Sequence, residues 1–186
     1  SERSSKFPYY YSKMKIEELA TDYANEFSIK LSMIRPPAIY GPNDYKGRAT
    51  HRIKNFMKSN LLLYGSANIP FCDVRDLCKF TVHLLKTDNP KRVYNIDGFR
   101  WSMKKFYKVL EEVSGQGKKS KVYIPYVLGY YLLPILNKCF KLPTMVELEM
   151  GHSFWNSKSL YTQDFEWSDP RKTLQDTIEW LEKSKL

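Results

Sequence analysis

The chain is poor in the residues that build disulfide scaffolds and metal centres. Its 186 residues hold three cysteines, Cys72, Cys78 and Cys139, odd in number and without a CxxC pair. That excludes a disulfide framework and a zinc site and fits a reducing, cytoplasmic compartment. His51, His83 and His152 stand apart, with no HExxH run and no carboxylate at ligand spacing, so no metal is expected. Long hydrophobic runs are also missing. The most apolar stretch, VYIPYVLGYYLLPILNKCF at 122–140, is broken by Pro125 and Pro134. A bilayer span needs roughly 20 uninterrupted apolar residues, so this is not a transmembrane helix. Flanked by Lys121, Lys138 and Lys141, the stretch suits the hydrophobic wall of a substrate pocket, with a helix lying in a membrane interface as the alternative. The 30 Lys and Arg against 20 Asp and Glu give a charge of +10. That balance admits an anionic ligand or membrane surface. The basic residues are scattered, however, and no RNA or DNA motif occurs, so nucleic acid is not expected as a partner. No secretory leader precedes the first helix, and the chain opens on Ser1 directly before it, which raises the expectation of further sequence upstream.

What is present is a core-forming chain, 42% hydrophobic and 15% aromatic, enough for one core or one core with a small satellite. IKLSMIRP at 29–36 alternates and is rich in apolar and β-branched residues, which predicts a buried strand stopped by Pro36 and Pro37. PPAIYGPND then reads as a rigid loop. A helix is expected from Arg48 to Ser59, a short strand at LLLYG, and a helix over DVRDLCKFTVHLLKT with an acidic first turn and Lys86 in its last. RVYNID reads as a strand ending at Gly98, followed by a helix over SMKKFYKVLEEVSG with Ser102 as N-cap and Gly115 as C-cap. A final amphipathic helix begins near Pro170, with Leu174, Thr177, Ile178 and Leu181 on one face. Strands alternating with helices argue for an α/β layer with parallel pairing.

The first helix carries the chemistry. Ile16, Leu19, Ala20, Tyr23, Ala24 and Phe27 recur at helical spacing and predict one buried face. At about 100° per residue, Tyr9 projects onto the middle of that stripe and Lys13 within about 60° of it. Tyr11 and Lys15, at the same spacing, fall among Glu18 and Asp22 and should face water. A cation on a core-facing stripe costs free energy unless a partner or solvated cleft receives it. An ammonium one turn from a phenol favours the phenolate, which makes Tyr9 a candidate general acid/base. The alternative is that Tyr9 caps a core while the stem of Lys13 snorkels to the surface.

Four segments occur in a fixed order: PYYYSK at 8–13, IRPPAIYGPND at 34–44, FCDVRDLCKF at 71–80 and VYNIDG at 93–98. Together the set resembles the extended short-chain dehydrogenase/reductase family, also called the NAD-dependent epimerase/dehydratase family. The resemblance implies the C-terminal part of a Rossmann-like parallel sheet with a smaller, mainly helical substrate-binding region. Residues 1–120 would be Rossmann-like remnant interleaved with substrate-binding segments, and 121–186 the helical region. It implies Tyr9 and Lys13 as the catalytic pair and NAD or NADP as cofactor. Lys13, Arg35, Pro36 and Pro37 would be the cofactor contacts, and Ala38, Tyr40 and Arg75 would meet a small-molecule substrate. Pro37, Ala38 and Ile39 stand where nucleotide-sugar members often carry Asn, and Asn68, Ile69 and Pro70 where they often carry Arg. These choices favour the branch similar to 3β-hydroxysteroid dehydrogenases and dihydroflavonol reductases, and hence an apolar alcohol or ketone. A nucleotide-sugar epimerase or dehydratase, or a non-catalytic membrane-surface or binding module, is the alternative. Two parts of the family pattern are missing. No glycine-rich strand–turn–helix occurs, since SGQGKKS follows a helix and reads as a C-cap and turn. Ser4 and Ser5 lie too close to Tyr9 to supply the third catalytic hydroxyl from a neighbouring strand. The partners implied are an N-terminal dinucleotide-binding half and a second copy bound through the Tyr9 helix.

Overall fold

The computed structural model describes residues 8–96, 98–128, 131 and 165–184. Helix α1 (Pro8–Glu26) opens on a proline, whose fixed φ suits a first turn. It is followed by β1 (Met33–Arg35), β2 (Ala38–Tyr40), α2 (His51–Lys58), β3 (Leu61–Tyr64), β4 (Asn68–Asp73) and α3 (Val74–Leu85). β5 (Val93–Asn95), β6 (Phe99–Ser102), α4 (Met103–Ser114), β7 (Ser120–Tyr123) and α5 (Pro170–Ser184) complete the described elements.

The strands pair as an α/β chain should. β1 runs parallel to β5 with Arg35 opposite Asn95, β2 parallel to β4 with Tyr40 opposite Asp73, and β3 parallel to β7 with Leu61 opposite Ser120. β4 also pairs antiparallel with β6, Asn68 opposite Ser102. The loop expected over 36–44 therefore contains a strand, and β4 and β6 arise where none is expected. Pro70 hides β4 from a sequence reading, because proline removes a ladder donor. The strand tolerates it by changing partner there: residues 68–70 pair with β6 and 71–73 with β2.

The main core gathers Tyr40, Phe71 and Phe106, with ring centroids 5.6–5.9 Å apart, together with Ile53, Phe56, Leu110 and Leu174. Cys72, Phe80, Leu84, Tyr94 and Ile96 form a second cluster. Leu174, Thr177, Ile178 and Leu181 of α5 are all buried, as the spacing predicts. Ser102 Oγ accepts from the Lys105 amide at 3.2 Å, and Gly115 closes α4 at φ +64°.

One expectation about α1 is overturned. Its apolar stripe does not face the core: Tyr9 is 64% exposed, Leu19 55% and Phe27 58%. The face that seats on the protein carries Tyr10, Met14, Glu17, Thr21 and Ala24, about a third of a turn away. Polar ties set that rotation: Arg35 binds Glu17, and Arg92 Nη2 donates to the Thr21 carbonyl and Asn25 Oδ1, both at 3.4 Å. No described element covers Tyr9, Ile16, Leu19, Tyr23 or Phe27. Most of the 122–140 stretch, with Lys138, Cys139, Lys141 and His152, lies outside the described residues, and so do Ser4 and Ser5.

Candidate active site

Lys13 and Tyr9 meet on the outer side of α1, Lys13 Nζ lying 5.5 Å from the centroid of the Tyr9 ring. The Tyr10 ring stands edge-on to Tyr9 with centroids 5.6 Å apart, and Ser12 Oγ donates to the Tyr9 carbonyl at 2.7 Å. The second pair is built alike, Lys15 Nζ lying 5.8 Å from the Tyr11 ring. Burial does not separate the two pairs, since both are exposed. Their partners do. Glu18 takes the Lys15 ammonium at 2.6 Å and raises its pKa, whereas no described carboxylate takes Lys13. A cation over a ring and with no described carboxylate on it keeps donors that an ion pair would take up.

Arg35 ends β1. Its Nε donates to Glu17 Oε1 at 2.9 Å and Oε2 at 3.1 Å, and its Nη2 donates to Oε2 as well. The Glu17 hydrogen bonds raise the guanidinium pKa despite partial desolvation. Pro36 and Pro37 follow as the link between the two sheets. An open groove of about 530 Å³ runs between α1 and the β1–β5 pair, lined by Met14, Glu17, Asp22, Met33, Arg35 and Arg92. Tyr9 and Lys13 are not part of its lining.

Ala38, Tyr40 and Arg75 sit on the other side of the proline link. Ala38 is half-buried against the core. Tyr40 is 2% exposed; burial pushes its phenol pKa up, partly offset by Arg52. Arg75 is held internally, its Nε donating to Asp73 Oδ1 at 2.9 Å and its Nη1 to Asp176 Oδ2 at 2.6 Å. The structure thus brings together Tyr9 with Lys13 on α1 and ties Arg35 to the same helix, while Tyr40 belongs to the packed interior of the β2–β4 side and the half-exposed Arg75 is ion-paired at its edge. Glu17 escapes a sequence reading. Its signal is its place one turn after Lys13, on the face that seats against β1.

The parallel ladders end together, β1 and β5 at Arg35 and Asn95, β2 and β4 at Tyr40 and Asp73. Crevices outside the carboxyl ends of parallel strands are where open α/β sheets bind ligands. Tyr9 and Lys13 stand on the helix that Glu17 ties to Arg35, the last residue of β1. A glycine-rich cradle for a dinucleotide pyrophosphate has no counterpart among the described residues.

Solved structures of similar fold include a nucleoside-diphosphate-sugar epimerase from Pseudomonas aeruginosa, at TM-score 0.77 and 16% identity over 99% of this chain and 58% of that one. UDP-glucose 4-epimerase from Thermotoga maritima matches at TM-score 0.67 and 18% identity, over 96% of this chain and 54% of its own. A dTDP-glucose 4,6-dehydratase from Bacillus anthracis, solved with NAD, matches at 0.66 and 20%, over 96% and 53%. The chain therefore spans a little over half the length of these structures. No curated protein sequence matches it. Residues 2–97, just over half of the chain, match the profile of one family, and the chain belongs to the NAD dependent epimerase/dehydratase family.

Proposed function

We propose that the whole protein carries out NAD(P)-dependent hydride transfer at a carbinol or carbonyl carbon, with Tyr9 as acid/base. The observation behind this is the Lys13 ammonium over the Tyr9 ring, without a carboxylate competitor among the described residues, in a chain of this family. Bound NAD or NADP supplies what the side chains lack, accepting or donating a hydride at nicotinamide. Lys13 would hold the ribose, its ammonium one turn from Tyr9 and over the Tyr9 ring. Tyr9 takes the hydroxyl proton as an alcohol becomes a carbonyl, and returns it in the opposite direction. Pro36 and Pro37 would bound the nicotinamide side.

For the substrate, an apolar alcohol or ketone is the first reading. Ala38 and Ile39 put no amide beside the proline loop, and Arg75 is spent on Asp73 and Asp176, so the chain offers a diphosphate few partners here. A nucleotide sugar is the second reading, favoured by the names of the similar structures. Thermal unfolding of the full-length protein with NAD(P) and each ligand class separates them. The first reading expects protection by apolar alcohols or ketones and none by UDP- or dTDP-sugars; protection by a nucleotide sugar alone reverses the order.

A further inference from the structure

The Glu17–Arg35 pair joins the two parts of the proposed site. Glu17 lies one helical turn beyond Lys13 and two beyond Tyr9, about 6 and 12 Å along the axis. Arg35 is the last residue of β1 and immediately precedes Pro36 and Pro37. Three hydrogen bonds connect them, two from Nε at 2.9 and 3.1 Å and one from Nη2. A forked guanidinium on a carboxylate fixes angle as well as distance.

Among the described residues, helix α1 buries little apolar surface. Ala24 is its sole buried apolar side chain among the described residues, while Tyr9, Ile16, Leu19, Tyr23 and Phe27 are exposed. The other polar tie, from Arg92 to the Thr21 carbonyl and Asn25, lies toward the far end of the helix at a longer 3.4 Å. A helix with so little apolar burial owes its placement to its polar anchors. Of the two polar ties described, the one nearer Lys13 is Glu17.

We infer that Glu17 is a positioning residue, clamped by Arg35 so that Tyr9 and Lys13 stand in register with the Pro36–Pro37 loop, and that Arg35 acts through Glu17 rather than by touching the cofactor. The inference rests on the Tyr9 and Lys13 reading above. The guanidinium is already occupied by the carboxylate, which leaves it poorly placed to meet a nicotinamide ribose. A displacement of about 1 Å at a catalytic group costs on the order of 100-fold in rate, so a loosened α1 shows first in turnover.

The test uses the full-length protein and three variants: Glu17→Gln, Arg35→Lys, and the charge swap Glu17→Arg with Arg35→Glu. Each single variant is expected to lower kcat about tenfold or more, with at most a several-fold rise in KM for NAD(P), because Lys13 moves with α1. Amide hydrogen exchange across residues 9–17 should quicken in the single variants, with α5 unchanged, and the charge swap should recover much of both losses. Unchanged exchange across 9–17 in Glu17→Gln overturns the clamp. A raised KM for the nucleotide with kcat intact in Arg35→Lys overturns it too, because that is the signature of a direct cofactor contact. Tyr9→Phe, run alongside, separates the two readings: full turnover there refutes the acid/base role, whereas normal exchange in Glu17→Gln refutes the clamp alone.

Discussion

Asp73 has no exposed surface, yet the structure keeps it charged. Burial pushes its carboxyl pKa upward, and the hydrogen bonds from the Arg75 side chain and amide and from Thr173 Oγ1, at 2.7 Å, outweigh that and hold it below the usual carboxylate range. A pKa lowered on folding gives stability that is present above the unfolded value, about 3.9, and is lost as pH falls through the folded one. Asp176, Asp44 and Glu111 are displaced the same way, burial again being opposed by stronger hydrogen bonding. Asp73→Asn in the full-length protein is therefore expected to cost about 3 kcal/mol at neutral pH, since the amide keeps one acceptor oxygen but sets an NH2 donor where the second carboxylate oxygen met other donors, and removes the charge paired with Arg75. The loss should shrink below about pH 4, a trend that urea unfolding at neutral and acid pH would reveal. Cys72 beside it is a packing residue, its thiol pushed up to about 12 by burial and then by Asp76 and Asp73.

At the scale of the element, legibility followed apolar periodicity. Helix α5 could be read from Leu174, Thr177, Ile178 and Leu181 because burial alone places it, and α4 because Ser102 and Gly115 mark its ends locally. The contact between Lys13 and the Tyr9 ring was readable from spacing, because residues four apart on a helix are neighbours. The rotation of α1 was not, because Glu17–Arg35 and Arg92–Asn25 override an apolar stripe that the described residues leave open. Arg75 on Asp176 is similarly silent, a contact between positions 101 apart that leaves no periodic trace. Strands β2, β4 and β6 are short or contain proline, and tertiary pairing rather than propensity makes them. Gly98 shows how tight that pairing is: at φ +52° it bridges to Phe71, whose carbonyl oxygen would lie 2.2 Å from an added Cβ. Gly98→Ala combines left-handed strain with a backbone clash, and the expected loss is about 2–4 kcal/mol. A midpoint of denaturation equal to wild type would contradict that packing.

For the whole molecule, the described strands form small sheets, two of them of two strands. Parallel sheets of that size are marginal unless their faces are covered. The described helices cover the β2–β4–β6 side well and leave the outer face of α1 open. Among the described residues no helix is long and apolar enough to cross a membrane, and no His, Cys, Asp and Glu group is placed to hold a metal. With a chain that spans a little over half of its structural relatives, activity is a property to be measured on the full-length protein. The most direct measurement is the single-turnover rate of nicotinamide oxidation or reduction in wild type and Tyr9→Phe, with nucleotide affinity measured in parallel. The account predicts a rate lower by about 10²–10⁴ in Tyr9→Phe at unchanged affinity; an unchanged rate would contradict it.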